Sequence, residues 1–174
     1  MPRVLVAGIG NIFLGDDGFG PEVIRHVDDR SPDVSVVDYG IAGMHLAYDL
    51  LDDWDALVLV DAVPDRGQPG EIRVFEPNPE TSGEPTGIDA HGVDPAVVFA
   101  SLRALGGTPP RTVVIGCQVA DLSDGIGLSA PVRAAIPAAV RAVGSTVAPG
   151  CASRNGTTCH SSPCTVRLVS DQPP

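Results

Sequence analysis

The sequence predicts a three-layer α/β/α protein, in which helices cover both faces of a mostly parallel five-stranded sheet. Apolar runs of about five to seven residues alternate along the chain with segments of helical periodicity. This alternation is typical of parallel sheets whose crossover helices pack on both faces. A chain of 174 residues is also long enough to bury one core of this kind.

Five segments have the pattern of buried strands: RVLVAGI (3–9), VSVVDYG (34–40), DALVLVDAV (55–63), EIRVFEP (71–77) and RTVVIGCQV (111–119). The connection between the third and fourth strands is rich in turn residues and has no helical pattern. We therefore expect the fourth strand to run antiparallel to the third, as in a hairpin.

Four segments have helical periodicity: residues 20–30, 43–54, 93–106 and 129–143. Asp94 followed by Pro95 predicts the start of the third helix, and Ser129 predicts the N-cap of the fourth. Pro137 predicts a kink in the fourth helix. The side chains of the second helix that we expect to face the core are Met44, Leu46, Leu50 and Leu51.

The composition changes near residue 144. We predict one domain over residues 1–143 and a poorly ordered polar tail over residues 144–174, which is rich in Ser, Thr, Gly, Pro and Cys. The tail contains the potential metal ligands Cys151, Cys159, His160 and Cys164. Their spacing lacks the close cysteine pair of zinc sites, which favours accidental thiols over a metal centre.

The charge excludes several kinds of partner. With 22 acidic and 11 basic residues, the formal net charge is −11, which argues against nucleic acid and anionic lipid as partners. Every basic residue is an arginine, so no P-loop or Schiff-base lysine exists. No apolar run approaches the roughly 20 residues of a membrane span, and the N-terminus lacks a signal-peptide layout. We expect a cytoplasmic monomer that binds neither nucleic acid nor membrane.

A glycine-rich turn follows the first strand, in VAGIGNIFLGDDGFG (6–20). Gly8 and Gly10 begin a dinucleotide-binding pattern, but Phe13 stands where its third glycine belongs. Asp16 and Asp17 bring negative charge to the place where a phosphate would bind. The turn therefore favours a cation over a nucleotide, and a small-nucleotide binding module becomes the weaker hypothesis.

Two acids are expected at one edge of the sheet. If the strand order includes 2-1-3, the crevice opens at the carboxyl ends of strands one and three, where Asp17 and Asp61 lie. Asp61 could instead accept from a backbone amide or pair with an arginine. His91, in GIDAHGVDP, is a third candidate, the alternative being a solvated loop histidine. Two carboxylates and an imidazole suit a borderline divalent metal such as nickel or zinc.

Other residues near this edge are candidates for supporting roles. Asp38 ends the second strand and is a catalytic or positioning candidate, or else a turn acid. Gly40 and Gly43 let the backbone approach the crevice and bind a substrate tail in extended form, or they are ordinary turn glycines. Cys117 ends the fifth strand and is interpreted as a small buried apolar residue rather than a nucleophile.

Five motifs resemble those of one known family: GIGNIFLGDDGFG, GIAGMHL, VLVDAV, AHG and GIGLSAPV, in that order over about residues 1–143. They are similar to the hydrogenase maturation proteases, which trim the C-terminus of the nickel–iron hydrogenase large subunit. The resemblance implies a five-stranded twisted sheet and a metal-binding trio of Asp17, Asp61 and His91. Asp17 takes the role because it directly precedes GFG. The family often has glutamate there, and a small hydroxyl residue where this chain has Ala90.

The resemblance also implies a mechanism. The substrate precursor brings its own nickel, which Asp17, Asp61 and His91 recognise before cleavage, and other divalent metals are expected to occupy the site in vitro. Two ways of activating water stay open: polarisation by the metal, or general-base catalysis by Asp17, Asp61 or Asp38. The alternative function is that of a non-catalytic nickel chaperone or scaffold for hydrogenase assembly.

Overall fold

The computed structural model describes residues 2–28, 31–77 and 94–148. The elements in chain order are β1 (Val4–Ile9), a 3-10 turn (Gly15–Gly18), α1 (Phe19–Ile24), β2 (Val34–Gly40), α2 (Gly43–Asp49), β3 (Ala56–Val63), β4 (Ile72–Phe75), α3 (Pro95–Ala104), β5 (Arg111–Gln118) and α4 (Ala130–Val147). None of the helices in these ranges combines the length and hydropathy that a membrane span requires.

The strands form one five-stranded sheet in the order β2-β1-β3-β5-β4. Strands β2, β1, β3 and β5 are parallel, and β4 pairs antiparallel with β5. The predicted fold class is confirmed, and the observed order contains the 2-1-3 arrangement that the expected position of the crevice assumed. The direction of β4 was predicted, but its hairpin with β3 was wrong because β5 lies between them.

A buried glutamine explains why the chain passes over β5. Gln118, at the end of β5, accepts hydrogen bonds at Oε1 from the backbone amides of Arg66 (2.7 Å) and Gln68 (3.3 Å). Its own backbone carbonyl accepts from the amide of Gly70 (2.8 Å). These contacts fasten the connection between β3 and β4 across the end of β5, so that β4 arrives on its far side.

Alternating strand residues supply two cores, one on each face of the sheet. Val58 and Val60 pack in the core beneath α1 and α4, whereas Leu57 and Leu59 pack in the core beneath α2 and α3. Helices thus cover both faces, as the sequence predicts.

The helices differ from the prediction mainly in length. The first is shorter than expected and ends at Ile24. The second helix, α2, ends at Asp49. Leu46 and Leu50 are buried as expected, but Met44 and Leu51 are exposed, so the expectation that these two side chains face the core was wrong. α4 continues through Pro137 to Val147, and residues 144–147 of the predicted tail are therefore helical.

Candidate active site at the carboxyl edge of the sheet

The site lies where the strand order reverses direction. β2 lies on one side of β1, and β3 and β5 lie on the other, which makes the carboxyl edge between β1 and β3 the place where α/β sheets bind ligands. The 3-10 turn that contains Asp17 follows β1, and Asp61 is near the end of β3, paired with Gly116 of β5. The two acids therefore come from neighbouring strands of the same edge.

Glycines let the turn fold back onto the sheet. Gly10 has a φ of +135°, and a Cβ atom there would lie 2.0 Å from the backbone oxygen of Asp17. A Cβ atom at Gly20 would lie 2.2 Å from the carbonyl oxygen of Ile9 and 2.4 Å from that of Val60. Only glycine permits these approaches, so the glycines of the turn serve to seat Asp17 at the end of β1.

Asp17 is buried, with 5% of its surface exposed. Its Oδ2 accepts a hydrogen bond of 2.6 Å from the backbone amide of Asn11, within the glycine-rich turn. A carboxylate of the chain itself thus binds an amide of the kind that a nucleotide phosphate would need. That the turn does not bind a nucleotide phosphate stays a prediction.

Asp61 is also buried, with 2% of its surface exposed, and its Oδ1 accepts from the amide of Ala62 at 2.8 Å. Burial raises the pKa of its carboxyl well above the usual range, the Ala62 amide opposes this, and the negative charges of Asp17 and Asp94 raise the pKa further. The backbone contact is the one that the structural alternative foresaw. It leaves the carboxyl in an environment that favours a bound proton or a nearby cation.

The neighbouring acid, Asp16, has a different role that the sequence analysis missed. It is fully buried, and its carboxylate accepts from the amides of Ala120 (2.8 Å), Asp121 (2.9 Å) and Ser129 (2.7 Å). The hydroxyl of Ser129 donates to it as well, at 2.8 Å. Ser129 occupies the predicted N-cap of α4, but its hydroxyl serves Asp16. Asp16 therefore ties the 3-10 turn to the β5–α4 loop.

Asp38 lies on the other side of β1. Its Oδ1 accepts from the amide of Gly40 at 2.9 Å, a contact that fits a turn acid. Its side chain borders a pocket of about 350 Å³ between β2 and α2, with His45 and Tyr48 also in the lining. Its catalytic role stays a prediction.

The two predicted substrate-binding glycines lie in the same connection. Gly40 has a φ of +52°, a conformation that favours glycine, and its carbonyl accepts from the amide of Gly10 at 2.9 Å. Gly43 is the first residue of α2. Their substrate-binding roles stay predictions.

Some candidates are outside the described residues. His91, the predicted third ligand, lies there, as do Cys151, Cys159, His160 and Cys164. Within the ranges that the structure covers, no group of three His, Cys, Asp or Glu side chains is placed to hold a metal ion. Cys117 is fully buried, and burial together with the charge of Asp16 raises its pKa to about 12. The interpretation of this thiol as a small buried residue is confirmed.

Two buried carboxylates at one crevice can act in two ways. They can hold a divalent cation, which offsets their mutual repulsion. They can also share a proton, so that one acts as a general base while the other stays protonated, as in acid-pair hydrolysis. An α/β fold with this pair at its switch point is compatible with a hydrolase, in which a carboxylate or a bound cation activates water.

Comparison with known proteins identifies the family. The family model of the hydrogenase maturation proteases matches residues 21–146, and the chain belongs to that family. Its members are endopeptidases of hydrogenase maturation, and so is this chain.

Individual relatives agree. The chain is 36% identical over 145 residues to the hydrogenase expression/formation protein HupD of Rhizobium leguminosarum bv. viciae, covering 80% of this chain and 71% of the relative. It is 32% identical over 145 residues to the hydrogenase 2 maturation protease of Escherichia coli, and the match covers 81% of this chain and 88% of the relative. The structure of the E. coli hydrogenase maturating endopeptidase HybD matches with a TM-score of 0.66 and 28% identity, covering 83% of this chain and 91% of that one.

Proposed function

We propose that this endopeptidase removes the C-terminal extension of a nickel-loaded nickel–iron hydrogenase large-subunit precursor. The observation that supports this most is the pair of buried carboxylates, Asp17 and Asp61, at the switch point of the sheet. Burial and the nearby charge of Asp17 both raise the pKa of Asp61, so negative charge at this edge is costly. A divalent cation carried by the substrate offsets that cost.

In the proposed reaction the nickel belongs to the substrate. Asp17 and Asp61 supply oxygen ligands, and His91 supplies the imidazole that the family resemblance implies. The cation favours the charged form of Asp61, whose pKa is raised by burial and by the charge of Asp17. A precursor without nickel brings no positive charge to offset the burial of these carboxyl groups and binds poorly.

Water is activated at the same place. Polarisation by the nickel and general-base catalysis by Asp17, Asp61 or Asp38 are the two routes that stay open. An aspartic-type mechanism is distinguished from metal assistance by Asp61→Asn. This variant loses turnover but keeps precursor affinity only if the carboxylate acts as the base and not as a ligand.

The test is intact-mass analysis of purified nickel-loaded precursor incubated with wild type, Asp17→Asn and His91→Ala. Asp52→Asn is the matched control, because Asp52 is an exposed acid between α2 and β3, away from the carboxyl edge of the sheet. We expect a C-terminal mass loss with wild type and the control, and none with either site variant or with nickel-free precursor. Binding of the loaded precursor by wild type without any cut would replace the protease with a chaperone. A cytoplasmic location and a monomeric state stay predictions from the sequence.

A further inference from the structure

Exposed apolar side chains border the candidate site on two loops. Phe13 has 60% of its surface exposed and Ile12 lies beside it, both after β1; Ile126 has 78% exposed and follows β5, as does Leu122. Both loops leave the carboxyl edge of the sheet, where Asp17 lies. Large apolar side chains grouped in this way mark an interaction surface. We call Ile12, Phe13, Leu122 and Ile126 the docking surface.

The two loops are held in place by their backbones. The amide of Gly125 donates to the carbonyl of Phe13 at 2.9 Å, and the amide of Gly15 donates to the carbonyl of Gly125 at 3.0 Å. The amide of Asp16 donates to the carbonyl of Asp121 at 2.9 Å, and the Asp16 carboxylate binds the same loop. The apolar side chains are therefore exposed on a fixed frame, which lowers the entropic cost of binding a partner.

We propose that the docking surface binds the folded body of the nickel-loaded precursor, an inference that rests on the proposed function. A protein whose cleavage site reaches Asp17 has to lie over the loops that flank it. Asp121 and Asp124 are exposed on the β5–α4 loop, and hydrogen bonds from Ser123 lower the pKa of Asp121. With a chain charge of −11, the occupant is a surface with an apolar centre and a rim of Arg or Lys side chains.

The experiment compares Phe13→Ser and Ile126→Ser with Leu105→Ser. Leu105 is 40% exposed and directly follows α3. The connection from α3 leads to the amino end of β5, so Leu105 lies toward the edge of the sheet opposite the candidate site. For each protein we measure KM and kcat for cleavage of purified nickel-loaded precursor, its Kd by biolayer interferometry, and the midpoint of thermal unfolding. We expect KM and Kd to rise about tenfold or more in the two docking variants. Their kcat and unfolding midpoints should match wild type, as should the KM, kcat and Kd of Leu105→Ser.

The outcomes separate this inference from the proposed function. Cleavage by both docking variants with the wild-type KM overturns the docking surface and leaves the protease intact. No cleavage by wild type refutes the proposed function, and the Kd values then test the docking surface by themselves. Weaker binding of the precursor by the docking variants than by wild type still supports the docking surface. No binding of the precursor by wild type overturns the docking surface. Self-association of wild type in sedimentation, lost in Ile126→Ser, assigns the surface to a second copy and overturns the inference.

Discussion

Replacing Asp16 should cost more stability than replacing any exposed acid of the chain. Asp16→Ala removes the acceptor of three backbone amides and one hydroxyl, all at 2.7–2.9 Å. A hydrogen bond to a charged group contributes about 1.5–3 kcal/mol, but these contributions do not add in full, because water can reach the partly buried loop. Leaving a buried donor unsatisfied costs about 1–3 kcal/mol, and for these four donors together, some of which water can satisfy, we expect a loss of about 3–5 kcal/mol.

The conservative variant has a smaller expected effect. In Asp16→Asn the amide oxygen can keep the three contacts of Oδ2, and only the contact of the Ser129 amide with Oδ1 is replaced by two facing donors. We expect a loss of about 1–2 kcal/mol. Asp124→Ala, on the same loop but exposed, should stay within about 0.5 kcal/mol of wild type.

Urea unfolding at pH 7 measures all three, with far-ultraviolet circular dichroism and the fluorescence of Trp54, the only tryptophan, as probes. A loss for Asp16→Ala no larger than that for Asp124→Ala would refute the reasoning, because the four contacts would then contribute nothing. Equal losses for Asp16→Ala and Asp16→Asn would show that the negative charge matters and the retained acceptor geometry does not.

Three further experiments test other parts of the structure. Asp61→Asn should stabilise the metal-free protein by about 0.5–2 kcal/mol at pH 8, measured by urea unfolding with a chelator. Because the folded-state pKa of Asp61 is raised, the folded wild type binds more protons above the ordinary aspartate pKa and loses stability as pH rises. The advantage of the variant should therefore vanish below that ordinary pKa; a constant advantage would show that the charge of Asp17 and burial are not its cause. Gly20→Ala, whose Cβ would lie 2.2 Å from a carbonyl oxygen, should cost about 3 kcal/mol or more in urea unfolding, whereas Gly144→Ala, with open space in α4, should gain up to about 1 kcal/mol. Cys117 should escape brief iodoacetamide labelling at pH 8 and react after denaturation, as read by peptide mapping; rapid labelling of the native protein would contradict its burial.

The sheet could be predicted because its signals are local. A short apolar run predicts each buried strand, and the alternation of these strands with helices predicts that neighbouring strands are parallel. The neighbour of β4 could not be predicted in this way. It depends on the contacts of Gln118 with Arg66 and Gln68, about fifty positions away, and a glutamine in an apolar strand carries no local sign of its partners.

The candidate site divides along the same line. The place of Asp61 in the site was predictable because burying an acid at the end of an apolar strand is costly unless the acid is paired or coordinated. The place of Asp17 was predictable because this residue belongs to the glycine-rich turn after the first strand. The role of Asp16 was not predictable, since the loop and helix start that it binds are more than a hundred residues away. The serine before α4 was the one sequence signal, and it suggests an ordinary N-cap.

The GDD segment solves a problem that two adjacent acids pose. Consecutive residues of a 3-10 turn point in different directions, so Asp16 faces the β5–α4 loop while Asp17 faces the end of β1. The Asp16 carboxylate accepts from donors of the β5–α4 loop, so under the proposed function Asp17 and Asp61 are the acids that meet the substrate's cation. If both acids of the turn faced the crevice, three buried carboxylates would have to share one ligand. Under the proposed function, this division separates the acid that holds the β5–α4 loop from the acid that meets the substrate's cation.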